Sequence, residues 1–111
     1  MTNDNYYDKE GKPMEMLEWA KLLEDKNYQI IKQDTFKNGN FVSTVWLGLN
    51  YNFGKGKPLI FETMVFDTNK KEKFKIGKRK MESMGEELDV KRYATLEEAK
   101  RGHKKMIKKY S

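Results

Sequence analysis

The sequence predicts a small α+β domain in which an antiparallel sheet of three or four strands is packed by two helices. Its 111 residues suit one domain with a modest core. Apolar residues recur with helical spacing in 13–25 and 95–110, and strand-like apolar runs lie between them. An aromatic content of 13% argues against disorder, although 36% of the residues are charged. We expect one domain over 1–111, with 1–10 as a frayed polar tail and 67–88 as a basic, variable insertion.

The first predicted helix covers residues 13–25. Pro13 is compatible with a first helical turn because the backbone nitrogen there needs no intrahelical hydrogen bond. Glu15 and Glu18 suit the positive end of the helix dipole. The apolar stripe expected to face the core consists of Met16, Leu17, Ala20 and Leu23, widened by Trp19 and Leu22.

The middle of the chain predicts three strands, at 28–34, 41–49 and 59–66. Asn38-Gly39, between the first two, is typical of a two-residue type I′ turn, whose central residues need positive φ. The second and third strands are apolar on both faces, which indicates a central hairpin covered by helices or by a partner. We expect three side chains in these strands to be largely buried: Trp46, Leu47 and Phe61.

The second half contains the least regular stretch and the clearest helix. One interpretation of 67–88 is a short helix with an apolar side made of Met81, Met84 and Leu88. The sequence at 89–93 is typical of a short strand. Thr95 followed by Glu98 forms a capping box at the start of the helix over 95–110. The buried stripe of this helix is expected to consist of Leu96, Ala99, His103, Met106 and Tyr110.

The net charge of +6 is concentrated in the second half of the chain. Residues 1–66 hold eight basic and nine acidic residues, whereas 67–111 hold fifteen and eight. Residues 70–80 contain seven bases and one acid, and 100–109 contain six bases and no acid. This asymmetry indicates contact with a polyanion or an acidic protein surface, and the alternative is a merely solubilising face. The candidate contact residues are Lys70, Lys71, Lys73, Lys75, Lys78, Arg79, Lys80, Lys104, Lys105 and Lys108.

Catalytic and metal chemistry find little support in the residues. Cysteine is absent, and the one histidine, His103, lies on a helix stripe where a structural role is expected. A nucleophilic triad would need His103 with Ser43, Ser83 or Ser111, and none of these serines has a nucleophile-elbow context. Glu62 interrupts an apolar strand, and we expect it to face solvent or to pair with a cation. The sequence therefore predicts a non-enzyme without metal or cofactor.

Two stretches of the sequence partly match known binding motifs. The loop at 54–57 alternates glycine and lysine, but it lacks the first P-loop glycine and the Ser or Thr that must follow the lysine. The order helix, three strands, helix is that of a double-stranded-RNA-binding domain, whose last helix begins with bases. Here that helix begins with Glu97 and Glu98. Nonspecific nucleic-acid contact through 70–80, with Phe74 available for stacking, is the hypothesis that these motifs leave open.

Several segments together resemble a family of small bacteriophage-encoded proteins. They are residues 6–8, 11–13, 18–20, 24–25, 42–49, 53–54, 58–66, 92–95, 97–99 and 102–103. The resemblance covers most of the chain outside 67–88, and the basic stretch 70–80 is an addition relative to shorter, more acidic relatives. It implies a viral accessory protein and transfers no catalytic residue.

The expected function is non-catalytic binding of a host protein or a host defence complex, as an inhibitor-like phage factor acting in the host cytoplasm. The alternative is a nucleic-acid-associated protein that uses the basic second half. A third hypothesis is a sequestering pocket for a small phosphorylated ligand, lined by Lys55 and Lys57. No apolar run approaches the roughly 20 residues of a membrane span, so a membrane partner is not expected. The sequence leaves the oligomeric state open.

Overall fold

The chain forms a four-stranded antiparallel sheet, a separate two-stranded ribbon and three α-helices. The computed structural model describes residues 5–50 and 56–111. In chain order the elements are α1 (Met16–Glu24), α2 (Lys26–Gln29), β1 (Ile30–Thr35), β2 (Asn40–Trp46), β3 (Phe61–Asp67), a 3-10 turn (Thr68–Lys70), β4 (Lys73–Ile76), β5 (Arg79–Glu82), β6 (Glu86–Tyr93) and α3 (Leu96–Tyr110). The predicted α+β class is confirmed, and the main sheet has the larger of the two expected strand numbers.

The main sheet has the strand order β1-β2-β3-β6, and α3 packs across one face of it. Directly opposite residues of β2 and β3 share a face, and Trp46 lies opposite Phe61 while Val42 lies opposite Val65. All four are fully buried. Because side chains alternate along a strand, the intervening residues point to the other face, where burial is only partial. The core therefore lies on this face of the sheet, beneath α3 and the segment that precedes β1.

The expected burial of the mid-strand residues is confirmed at two of three positions. Trp46 and Phe61 have no exposed surface. Leu47 is only partly buried, because β2 ends at Trp46 and the chain leaves the sheet there. Its backbone N–H donates to the carbonyl of Ile60 at 2.8 Å. Leu47 is thus a residue of the strand end and the prediction of a core position was wrong.

The described part of the N-terminal segment packs onto the core, so the expectation of a frayed tail was wrong for residues 5–10. Tyr7 is 8% exposed and belongs to the core cluster with Trp46. The indole Nε1 of Trp46 donates to the carbonyl of Tyr7 at 3.0 Å, and the Tyr7 N–H donates to the carbonyl of Gly48 at 2.8 Å. This segment therefore satisfies the polar atom of the largest core side chain.

The first helix is shorter than predicted and contributes less to the core. It begins at Met16, and no residue in it is fully buried. Met16 and Leu17 are 52% and 72% exposed, so the predicted stripe was wrong at its start. Trp19 fixes the helix instead, because its Nε1 donates to the carbonyl of Leu47 at 2.8 Å and its ring lies 4.7 Å from that of Tyr6.

The connection into β1 also differs from the prediction. Residues 28 and 29 belong to α2, so the strand begins at Ile30 rather than at 28. The carboxylate of Asp25 accepts from the N–H of Asn27 and caps this short helix. An Asp at the helix start favours one more turn over direct entry into the strand.

The turn between β1 and β2 has three residues, where the sequence predicted two. The N–H of Gly39 donates to the carbonyl of Phe36 at 2.9 Å, which makes Lys37 and Asn38 the central residues of the turn. Gly39 follows with φ +90°. A turn followed by a glycine of positive φ is the usual three-residue hairpin loop. The positive φ is confirmed and the type I′ assignment was wrong.

Residues 67–88 contain no α-helix, so the short helix suggested for this stretch was wrong. β4 and β5 form a hairpin between two neighbouring antiparallel strands of the main sheet, β3 and β6. The predicted short strand at 89–93 is the second part of β6, which has eight residues. Gly77 has φ +60° at the hairpin tip, and Gly85 has φ +117° before β6. These two glycines favour turns over a continuous helix.

The last helix agrees with the prediction. The Thr95 hydroxyl accepts from the N–H of Glu98 at 3.2 Å and donates to the Glu98 carboxylate at 3.0 Å. The buried side of α3 contains Ala99, His103 and Met106, as expected, and also Gly102, whereas Leu96 and Tyr110 at the ends of the expected stripe are half-buried. A Cβ at Gly102 would overlap the ring of Tyr93, so this glycine allows β6 to lie close beneath the helix.

Candidate functional site

Half of the predicted contact residues lie on the hairpin formed by β4 and β5, called the β4–β5 hairpin from here on. They are Lys73, Lys75, Lys78, Arg79 and Lys80. Every residue of both strands is exposed. The hairpin therefore projects these cations into solvent and takes no part in the two buried clusters of the domain.

The two faces of the β4–β5 hairpin differ in chemistry. Phe74 lies opposite Met81, and Ile76 lies opposite Arg79, so these four side chains share one face. Of the three apolar side chains on this face, Phe74 is 44% exposed, Met81 is 38% exposed and Ile76 is 62% exposed. The other face carries Lys73, Lys75, Lys80 and Glu82. The hairpin is amphipathic, with an apolar face that contains one arginine and a polar face that is mainly lysine.

The base of the hairpin is fixed to the main sheet. Lys70 pairs with Glu86 at 2.8 Å, and this hydrogen bond raises the pKa of Lys70 above its usual value. The Ser83 N–H donates to the carbonyl of Glu72 at 2.8 Å, and the Glu72 N–H donates to the Ser83 hydroxyl at 2.9 Å. Lys70 thus contributes to a local ion pair, which makes it a weaker candidate for partner contact than the cations farther along the hairpin.

The remaining predicted contact residues lie on other elements. Lys71 follows the 3-10 turn and lies 3.7 Å from Glu82. Lys104, Lys105 and Lys108 are exposed on α3. Lys105 lines a groove between α3 and β6, whereas Lys104 does not. The basic second half is therefore divided between the hairpin and the outer side of α3.

His103 belongs to a buried chain of polar groups. Its Nδ1 lies 2.7 Å from the Thr44 hydroxyl, which lies 2.5 Å from that of Thr63. Its Nε2 lies 2.7 Å from the Asp34 carboxylate. Thr44 and Thr63 have no exposed surface, and His103 is 3% exposed. The order Thr, His, Asp resembles that of a hydrolase triad, but the hydroxyl is sealed between α3 and the sheet, where no substrate reaches it.

The polar chain links α3 to three strands, since it joins His103 to side chains from β1, β2 and β3. A structural role for His103 agrees with the sequence prediction. Thr44 and Asp34 were missed because periodicity places side chains on a face without showing which polar groups meet across it. The alternating burial of β2 gives the signal for Thr44, which lies between Val42 and Trp46 on the buried face.

Two further candidates for a functional role were Glu62 and the glycine- and lysine-containing loop at 54–57. Glu62 is 12% exposed and lies 3.0 Å from Arg92, which fits the expected pairing with a cation. Lys55 lies outside the described residues, and Lys57 is exposed. Among the described residues, no group of three histidine, aspartate or glutamate side chains could hold a metal ion. Within the same residues, no helix has both the length and the apolar character to cross a bilayer.

Comparison with protein families, with characterised proteins and with solved structures finds no match for this chain.

Proposed function

We propose that this protein is a non-catalytic accessory factor that binds another protein through the β4–β5 hairpin. The observation that carries the proposal is the exposed apolar face of this hairpin, made of Phe74, Ile76 and Met81 beside Arg79. Phenylalanine, methionine and arginine are enriched in protein interfaces, whereas lysine is depleted there. The same residue types on a projecting ribbon suit insertion into a partner's apolar recess.

Charge around this face indicates the chemistry of the partner. A depression of about 530 Å³ on the hairpin is lined by Lys73, Phe74, Lys75, Lys80, Met81 and Glu82. Arg79 lies on the apolar face itself, and the lysines lie on the opposite face of the same strands, so the matching surface has an apolar centre bordered by acidic groups. Rim charges of this kind accelerate association and select against basic partners. Buried anchors at the centre contribute most of the affinity.

The resemblance to bacteriophage proteins supports a host protein as this partner. Inhibition of a host defence complex is the specific form of the proposal. It requires no active site, which agrees with the sealed environment of His103. It also explains why the basic addition at 70–80 forms a separate projecting element: a new contact surface can be added between β3 and β6 without a change in the core.

Capture from a bacterial host lysate with two matched variants tests the proposal. The first replaces Phe74, Ile76 and Met81 with Ser and removes the apolar face. The second replaces Lys73, Lys75 and Lys80 with Ser and removes the opposite face of the same strands. We expect a captured protein that survives nuclease treatment, is lost with the first variant, and is retained by the second with slower association. Loss with nuclease, or equal loss in both variants, would contradict the proposal.

Nucleic-acid association is a second candidate, because residues 70–80 hold seven bases against one acid and a two-stranded ribbon fits the major groove of a duplex. Labelled DNA and RNA are titrated at two salt concentrations. Nonspecific contact gives a dissociation constant no tighter than about micromolar at physiological salt. For duplex DNA, the binding constant then falls by about 0.9 log units per phosphate contact for each tenfold rise in salt concentration. Nanomolar, structure-selective binding that disappears when Lys78, Arg79 and Lys80 become Ser would favour this candidate over the first.

A further inference from the structure

A groove lies between the outer strand of the main sheet and the last helix. β6 pairs with β3 on one side, and its other edge has no strand beside it within residues 5–50 and 56–111. The groove has a volume of about 410 Å³. Its lining comprises Asp89, Val90, Lys91, Arg92 and Tyr93 from β6, with Glu98, Arg101, Gly102, Lys105, Met106 and Lys109 from α3. This groove is separate from the β4–β5 hairpin.

The acids of the groove are already engaged by neighbouring groups. Asp89 accepts a hydrogen bond from the Tyr110 hydroxyl at 2.7 Å and lies 3.4 Å from the Lys109 ammonium. Glu98 is bound to Thr95 at the start of α3. Both carboxylates keep their charges, but the groove lining has five cations against these two acids, so its net charge is positive.

Three groove cations have no carboxylate partner among the described residues: Lys91, Arg101 and Lys105. Lys91 lies over the Tyr93 ring at 5.9 Å, and the other two are exposed on α3. The groove consequently has an excess of positive charge on both of its walls. This charge favours an acidic ligand.

The shape of the groove favours an extended peptide. One wall is a run of five β-strand residues, about 16 Å long at 3.3 Å per residue. The free edge of a strand presents backbone N–H and C=O groups, and these pair with an added strand. A helix beside such an edge supplies the side-chain contacts that give specificity to strand addition.

The spacing of the cations on α3 adds a second match. Arg101, Lys105 and Lys109 follow one another at intervals of four residues, which places successive charges about 6 Å apart along the helix. Alternate side chains of an extended strand are about 6.6 Å apart. The geometry points to a site in which an acidic peptide segment adds as a strand to β6. Acidic side chains at every second position of this peptide would then contact Arg101, Lys105 and Lys109 of α3.

Two synthetic peptides of equal composition test this site. One alternates glutamate with valine over nine residues, and the other carries the same glutamates in one block. We expect the alternating peptide to bind more tightly than the block peptide and to slow amide hydrogen exchange at residues 89–93. Equal affinity of the two peptides would show diffuse attraction to a basic surface and would overturn the proposal. Binding without protection of β6 would overturn the strand addition.

Matched charge reversals locate the contact on the helix. Arg101→Glu with Lys105→Glu alters the groove, and Lys100→Glu with Lys104→Glu makes the same change one residue away, outside it. The groove variant should lose at least about tenfold in affinity, because two charge-assisted contacts are removed. The matched variant should change it by less than about twofold. Equal losses would contradict the assignment.

Two further controls separate this site from its alternatives. The variant that replaces Phe74, Ile76 and Met81 with Ser should bind the alternating peptide as the wild type does. The peptide site can therefore be confirmed even if the hairpin proposal fails. Sedimentation without peptide tests for a second copy of the chain on β6. Self-association with protected β6 amides would assign the edge to that copy and overturn the peptide site. If neither peptide binds, the proposal is overturned.

Discussion

The domain contains two antiparallel strand pairs that differ in burial, β2 with β3 and β4 with β5. Both pairs are regular antiparallel ladders, but β2 and β3 are apolar on both faces, whereas β4 and β5 have one mainly apolar face and one polar face. On the first pair Val42, Trp46, Phe61 and Val65 are fully buried because α3 and the segment before β1 cover that face, whereas every residue of the second pair is exposed. Strand pairing alone does not create a core, since a two-stranded ribbon has no layer to pack against. The first pair contributes to stability through burial, whereas the second pair leaves its apolar side chains at the surface.

The largest expected difference between the two pairs concerns their aromatic residues. Trp46→Ala should lower the free energy of unfolding by about 3–5 kcal/mol, because it removes the largest core side chain. Phe74→Ala, the matched change on the hairpin, should alter it by no more than about 0.5 kcal/mol. Urea denaturation measures both. A comparable loss for Phe74 would show that the hairpin packs on the domain.

The buried hydroxyls of the core pair give the next effect. Thr44→Val keeps the shape of the side chain but leaves the Thr63 hydroxyl and the Nδ1 of His103 without their partner. We expect a loss of about 1–3 kcal/mol in the free energy of unfolding. Ser43→Val, on the opposite and half-buried face of β2, is the control and should cost less than about 0.5 kcal/mol. Equal effects in denaturation would show that the polar chain contributes no stability.

A smaller effect is expected where α3 meets β6. The Tyr110 hydroxyl donates to Asp89, and this bond, with help from Lys109, holds the pKa of Asp89 below its ordinary value of 3.8. A carboxyl group with a lowered pKa contributes its full stability above the unfolded pKa and loses it as the pH falls through the folded value. Asp89→Asn should cost about 1 kcal/mol at pH 7. The difference from wild type should shrink as the pH falls below 3.8.

The pH series for Asp89→Asn is measured by thermal unfolding in parallel with the wild type. Glu87→Gln on the same strand is the control, since Glu87 is exposed and its side chain makes no hydrogen bond or ion pair with the other described residues. A constant difference between Asp89→Asn and wild type across the pH range would assign the effect to the amide itself and not to the lost charge.

The smallest effect is expected at the tip of the hairpin. Replacement of Lys78, Arg79 and Lys80 with Ser should change the free energy of unfolding by no more than about 0.5 kcal/mol, because all three side chains are exposed and none packs on the core. Circular dichroism and denaturation measure this directly. A marked loss of stability would show that the hairpin and the core are coupled.

The sequence predicted the parts of the fold that depend on local chemistry. The capping box at Thr95, the stripe of α3 and the burial of Trp46 and Phe61 follow from spacing and residue type. The hairpin at 73–82 was missed because two short strands with lysine at alternate positions have no apolar face of sufficient length. Its local signal was the alternation around Phe74 and the glycine at 77, which is compatible with a turn.

The features that sequence reasoning missed are those made by distant residues. His103 meets Thr44 across 59 positions of the chain, and the groove joins two elements through their packing alone. The pattern of the helix places Arg101 and Lys105 on one side, but it does not indicate that a free strand edge lies next to them. Tyr7 was missed for the same reason, since a short segment reaches the core only through its contact with Trp46.

The position of α3 has a consequence for synthesis of the protein. This helix follows all six strands in the chain, yet it covers the apolar face formed by β2 and β3. At about 5–20 residues per second, its 15 residues take the ribosome about one to three seconds to make. Throughout that interval Val42 and Val65, which pack against Met106 of α3, have no cover from the helix. The interval in which a chaperone can recognise this protein, or in which it can aggregate, is therefore set by the delay between β6 and the emergence of α3.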